Sequence, residues 1–306
     1  MLVVVLTFII GLALLIKGSD TFVESASRVA KGFGVSEFLI ALVLASVATT
    51  LPEVTVSATA AFSGRPDMAL GNGVGSAIAN IALILGLCSL IMPLNVDEVA
   101  WRNSTFMVAV TLLAWLLMMD GTLSRLDGGV LIAIYLGFLY YLYKKHMTLE
   151  EVPESGGNPK REAVVMFLSG LVVVAGAKLV VNSAVIIART LGVSETVIAL
   201  TLVAIGTSLP ELANSLTATL KKIPNISVGN VIGANILDIL MVLGVSALIA
   251  PIPISAAYKT FVMPLTLLVM LLLTVSLRLN NRVGRKTGVV LLLLYAYFLY
   301  RAFPGG

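Results

Sequence analysis

Apolar residues run through this chain in long blocks, and short polar or charged stretches separate them. A helix that crosses a bilayer needs about 20 mostly apolar residues. Ten blocks fit that requirement, with approximate limits 2–16, 36–62, 68–93, 103–119, 127–144, 163–183, 194–219, 226–250, 260–277 and 286–303. The pattern predicts an all-α integral membrane protein with ten transmembrane helices. Blocks two, three, seven and eight contain Gly, Pro or polar residues. Blocks four, five, nine and ten are plain and read as scaffold helices. The first block lacks a basic leader and a small-residue cleavage site, so it reads as a spanning helix rather than a removed signal.

The blocks also repeat. Residues 34–93 align with 192–251 at a constant offset of 158, without a gap, and 26 of the 60 positions are identical. Gly34-Val35-Ser36-Glu37 matches Gly192-Val193-Ser194-Glu195, Gly71-Asn72 matches Gly229-Asn230, and Gly75 matches Gly233. Each half holds five blocks, an odd number, so the second copy enters the membrane from the opposite side. The expectation is two inverted-topology five-helix repeats, residues 1–145 and 163–306. Many secondary transporters share this plan and bind ions near the midplane, between the repeats. Residues 146–162 form a polar linker containing Glu150, Glu151, Pro153, Glu154, Gly156, Gly157 and Pro159.

Composition narrows the class. Of 306 residues, 58% are hydrophobic and 12% charged, with a mean hydropathy of +1.04, which no soluble fold needs. Fourteen Lys and Arg residues fall on the side of the odd-numbered connections and six on the other. The positive-inside rule then puts both termini outside, the linker in the cytoplasm and the chain in the cell membrane. A net charge of +4 fits basic loops and gives no reason to expect nucleic acid. A single Cys88 excludes a disulfide framework and a cysteine metal site. The lone His146, in the most polar loop, argues against a histidine zinc site or a Ser-His-Asp triad. No enzyme is expected, because Glu53 and Glu211 as an acid dyad have no accompanying nucleophile or metal motif.

The polar residues inside the repeated blocks carry the chemistry. Thr49-Thr50-Leu51-Pro52-Glu53 is nearly copied by Thr207-Ser208-Leu209-Pro210-Glu211. Proline removes a helix hydrogen bond, lipid cannot satisfy the freed carbonyl, and an ionisable residue at that depth marks a functional site by default. A proline kink with a protonated Glu bonded to a neighbouring helix would explain one copy, but much less easily two in matching frames. The full set is Ser46, Thr49, Thr50, Glu53, Ser76, Asn80, Thr207, Ser208, Glu211, Asn235 and Asp238, together with carbonyls near Ala48, Thr49, Gly206 and Thr207. All are oxygen ligands, which suit Ca²⁺, Na⁺, Mg²⁺ or Mn²⁺. Two glutamates match one divalent cation. Without it they would not both stay charged, so the site would accept a proton or a monovalent cation. No resident cofactor is implied. Ser76 and Asn80 have interhelical hydrogen bonding as an alternative role, and the repeated glycines have close helix packing. Lys17, Asp20 and Lys178 fall near block ends, where snorkelling or surface pairing is expected.

The motif Ala48-Thr49-Thr50-Leu51-Pro52-Glu53 with Gly71-Asn72-Gly73-Val74-Gly75-Ser76-Ala77-Ile78-Ala79-Asn80 resembles one α-repeat of the cation/Ca²⁺ exchanger superfamily. Gly206-Thr207-Ser208-Leu209-Pro210-Glu211 with Gly229-Asn230-Val231-Ile232-Gly233-Ala234-Asn235-Ile236-Leu237-Asp238 resembles its partner. The resemblance implies a Ca²⁺/cation antiporter working by alternating access. By it, Glu53 and Glu211 are central Ca²⁺ ligands, helped by the carbonyls of Thr49 and Thr207. Thr50, Ser76, Asn80, Ser208 and Asp238 complete counter-ion or proton sites, and segments one and six slide over the core. Ala234 departs from the Ser usual in the Na⁺/Ca²⁺ exchangers and removes a hydroxyl ligand. That tilts the expected counter-ion for Ca²⁺ export towards H⁺. The Thr-Leu-Pro-Glu motif, similar to the Na⁺-coupled branch, keeps Na⁺ as the alternative. A cation channel is a more remote one.

Overall fold

The computed structural model describes residues 1–146, 158–192 and 206–302. Apart from four two-residue strands the described chain is helical. In chain order the helices are α1 (Leu2–Phe33), α2 (Glu37–Phe62), α3 (Pro66–Ile91), α4 (Val99–Leu117), α5 (Arg125–His146), α6 (Pro159–Thr190), α7 (Leu209–Leu220), α8 (Pro224–Ile249), α9 (Tyr258–Asn280) and α10 (Arg285–Ala302). Eight of them, all but α7 and α10, are long and apolar enough to cross a membrane. The first part of the expected block 194–219 lies outside the described residues. The eighteen residues of α10 include Arg285, Lys286 and Arg301. Most of the 146–162 linker also lies outside the described residues, and its last four positions already belong to α6.

Two helices outrun the apolar blocks that predict them. α1 was expected to end at residue 16 and continues to Phe33; α6, expected over 163–183, spans Pro159–Thr190. The apolar run stops, but an amphipathic period continues. Phe22, Val23, Ala26, Val29 and Ala30 are buried, while Lys17, Glu24, Arg28 and Lys31 are exposed. Gly34 ends α1 in the left-handed region, at φ 63°, a conformation glycine adopts without strain.

α1 and α6 lie antiparallel against each other. A Cβ at Gly11 would stand 2.9 Å from Leu179 Cβ, and one at Gly176 would stand 2.7 Å from the Leu15 backbone nitrogen. These glycines allow the close approach. The pair is set apart from the main core. The largest apolar cluster joins α2, α3, α4, α5, α8, α9 and α10, whereas Phe22, Val23 and Met166 belong to a separate one. Large apolar side chains such as Leu6, Ile9, Phe167 and Leu171 face outward. Polar groups inside and apolar groups outside suit a lipid solvent.

The two halves of the chain are stapled twice. Strand β1 (Leu94–Asn95) pairs antiparallel with β4 (Arg282–Val283), and β2 (Thr122–Leu123) pairs with β3 (Ile252–Pro253). Four helices also contain one wide, π-type turn: Ala41–Ala45 in α2, Ala79–Leu85 in α3, Asp238–Val242 in α8 and Tyr258–Val262 in α9. Such turns shift the hydrogen-bond ladder by one residue and recur at functional sites.

Candidate ion-binding site

α2 carries Thr49, Thr50 and Glu53 on successive turns. The helix runs unbroken from Ser46 to Phe62 with Pro52 inside it. Pro52 still lacks the N–H that would bind the Ala48 carbonyl. The second copy differs. Gly206 to Ser208 lead into α7 through a turn, and Pro210 sits in the first turn of that helix, where proline is tolerated.

Glu53, Glu211 and Asp238 are 1%, 1% and 0% exposed, so protein encloses all three acids. Glu53 is within electrostatic reach of the other two. Thr50 Oγ1 donates to Glu211 Oε1 at 3.4 Å, which joins the two proline motifs. Asn80 Nδ2 donates to Asp238 Oδ2 at 3.3 Å. Asn235 Nδ2 donates to the Ala77 carbonyl at 3.0 Å. In both of these bonds the two residues are 158 apart, the offset of the sequence repeat. Asn72 Nδ2 reaches the Glu53 carbonyl at 3.4 Å and Ser57 Oγ at 3.0 Å, fixing the backbone at the first motif. Thr49 Oγ1 turns back to the Ser46 carbonyl at 3.3 Å. Ser76 and Ser208 are buried. Thr207 is only partly buried.

Many oxygens here have no partner among the described residues. They include Glu53 Oε2, Glu211 Oε2, Asp238 Oδ1, Asn80 Oδ1, Asn235 Oδ1 and Ser208 Oγ. None of the ion pairs between described residues reaches the three acids. Buried acids without a protein cation must be neutralised by bound cations or protons. Among the described residues no three His, Cys, Asp or Glu side chains cluster closely enough to hold a metal by themselves. A cation here would take neutral oxygens as well as carboxylates.

A cavity of about 500 Å³ opens beside the motifs, between α2, α6 and the start of α7. Pro52, Thr55, Lys178, Asn182, Thr207 and Pro210 are among its walls. Lys178, expected near a helix end, instead lies well inside the extended α6. Towards the N-terminal end of α6 the helices are clamped by charge. Lys221 Nζ binds Asp20 Oδ1 at 3.0 Å and Glu24 Oε1 at 2.7 Å, and Arg28 Nε binds Glu162 Oε2 at 2.6 Å. Hydrogen bonds to Glu24 and then Asp20 hold the Lys221 ammonium above the usual lysine range. A raised lysine contributes below its unfolded pKa and lets go only as pH climbs through the folded one. The clamp therefore persists at neutral pH and responds to salt instead. Exposed pairs are worth about 0.2–1 kcal/mol. Lys221→Gln is expected to speed thiol labelling of a Ser25→Cys reporter, in a Cys88→Ala background, by a few-fold. Unchanged labelling would mean that the clamp holds nothing.

Three features escape a reading of the sequence. Asn230 and Asn214 are buried, and neither amide atom of either has a partner among the described residues. Asn230 had a signal, since it repeats Asn72. Asn214, one turn beyond Glu211, stands where the first copy has Val56, so the repeat hides it. The third is a close approach: a Cβ at Gly233 would come 2.2 Å from the Leu42 carbonyl oxygen.

The family pattern described as "sodium/calcium exchanger protein" matches residues 3–144 and again residues 162–303. The chain belongs to this family. A putative antiporter of Alkalimonas amylolytica, CaxA, is 37% identical to this exchanger-family chain over 99% of both. Sodium/calcium exchanger MaX1 of Methanosarcina acetivorans is 31% identical over 96% of this chain and 97% of its own. The solved structure of the sodium-calcium exchanger NCX_Mj soaked with 10 mM Na⁺ and zero Ca²⁺ is similar at a TM-score of 0.88 and 35% identity, covering 98% of this chain and 99% of that one. The all-helical, membrane-spanning architecture of this family member is thus shared with a solved exchanger.

Proposed function

We propose that the protein is a secondary active antiporter that exports Ca²⁺ across the cell membrane in exchange for H⁺. The observation that carries this reading is the enclosed set of three acids, with oxygens that have no partner, and no paired cation, among the described residues. Glu53 and Glu211, with the Thr49 and Thr207 carbonyls, would bind Ca²⁺. Thr50, Ser76, Asn80, Ser208 and Asp238 would serve the counter-ion. Asp238 stands where the first copy has Asn80, and an acid can carry a proton where an amide cannot. Ala234, fully buried, stands where the first copy has Ser76 and offers no oxygen.

The architecture proposed is ten spanning helices in two inverted repeats, residues 1–145 and 163–306, with both termini outside. The strand pairs that cross between halves, the contacts between residues 158 apart and the family match in two blocks support it. The separate apolar cluster under α1 and α6 supports sliding of that pair over the rest.

Na⁺ coupling is the second reading, favoured by the names of MaX1 and NCX_Mj. The deciding experiment is ⁴⁵Ca²⁺ uptake into proteoliposomes under an imposed pH gradient or an imposed Na⁺ gradient, at clamped voltage. Uptake driven only by the pH gradient is expected. Ala234→Ser is then expected to add Na⁺-driven uptake at least several-fold above the parent's. Uptake driven only by Na⁺ would replace H⁺ as the counter-ion, and uptake driven by neither would sink the antiporter reading.

A further inference from the structure

We infer that the crevice between α4 and α5 is a binding site for one anionic phospholipid drawn from the surrounding bilayer. These two helices follow one another in the chain, yet α4 packs chiefly on α9 and α5 on α8. The space left between them is a cavity of about 480 Å³.

Its lining changes character with depth. Arg102, in the first turn of α4, and Lys145, in the last turn of α5, stand at the same end. Further in, Phe106 stacks on Phe138 with ring centroids 4.3 Å apart. From Ile134 to Lys145 the helix rises about 16 Å, room for a length of acyl chain. Gly137 lines the same crevice, and a Cβ there would meet none of the described residues within 4 Å. A glycine inside a helix weakens it. Among the described residues no close approach of another helix accounts for this one; its effect is to keep the crevice wide.

The charges fit a phosphate headgroup. Arg102 reaches Glu98 only loosely, at 3.9 Å, with both side chains mostly exposed. Its guanidinium also lies 5.6 Å from the Trp101 ring centroid. A planar guanidinium in that setting retains donors for bidentate phosphate binding. Lys145 Nζ lies 3.4 Å from Tyr141 Oη, which brings a hydroxyl to the same mouth. Basic pockets between spanning helices recognise anionic headgroups in this way. Free phosphate would leave the apolar depth unfilled, and a zwitterionic lipid would bring its own cation against Arg102 and Lys145.

Native mass spectrometry of the full chain tests this, in detergent containing phosphatidylglycerol and phosphatidylcholine with matched acyl chains. One phosphatidylglycerol should be retained, preferred about tenfold or more. The double variant Arg102→Gln, Lys145→Gln should lose the preference. Gly137→Leu, which fills the crevice and leaves the charges, should lower retention of both lipids. Unchanged melting temperatures in phosphatidylcholine micelles check that the variants fold. Equal retention of the two lipids by the parent chain, or a preference that survives in both variants, would overturn the proposal. So would a dimer that Gly137→Leu dissociates, because a second copy would then occupy the crevice.

Discussion

Glu53→Gln and Glu211→Gln, made singly, are each expected to reduce Ca²⁺ flux more than a hundredfold while the protein still folds. The amide keeps the shape of the side chain and one oxygen, and removes the negative charge. A divalent cation enclosed at this depth depends on two such charges, and taking one partner from a buried ionic set costs about 3–5 kcal/mol, more than two decades in binding. Stability should move the other way. Each acid is 1% exposed and has an unpartnered oxygen, so an uncharged amide relieves a desolvation penalty when no ion is bound. The melting temperature without Ca²⁺ should hold or rise, and the stabilisation by added Ca²⁺ should vanish. Flux assays and ion-dependent melting curves read both effects. Normal flux in both variants would remove these residues from the site.

Gly233→Ala should be as damaging for a different reason. At Gly233 a methyl group would come 2.2 Å from the Leu42 carbonyl oxygen and 2.6 Å from Ser46 Oγ. Backbone cannot step aside there without parting α8 from α2, close to the buried acids. Overpacking of this kind costs about 1–3 kcal/mol, occasionally more. A Cβ at Gly229, one turn earlier, would stand 2.6 Å from the Phe38 carbonyl oxygen, which extends the same close approach. A melting point lowered by several degrees for Gly233→Ala would bear this out. An unmoved melting point would count against it.

Much of this molecule was legible before its structure. Long apolar blocks mark spanning helices because lipid leaves a backbone few other options. Glu53 and Glu211 stood out because an acid and a proline are both costly in such a block, and the motif occurs twice. What stayed hidden depends on tertiary placement. The extension of α1 through Asp20, Glu24 and Arg28 needs Lys221, and Glu162 of α6, to receive those residues. The unbroken helix through Pro52 and the turn before Pro210 come from near-identical local sequences, so local rules could not separate them. Asn214 has no counterpart in the first copy, and a repeat reveals only what it repeats. The wide turns at Ala79–Leu85 and Asp238–Val242 have no compositional mark.

The strand pairs also bear on how the chain is made. β1 leaves the ribosome with α3, but its partner β4 comes just before the last helix, and β2 likewise waits for β3. At roughly 5–20 residues per second, several seconds or more of synthesis separate the partners. The first five helices must therefore wait in the bilayer with both small strands unpaired and with Asn80 lacking Asp238. An N-terminal half released early, by truncation or a stalled ribosome, carries these open ends. A cut within the linker, with both pieces present, leaves every one of these cross-links available to draw the halves together.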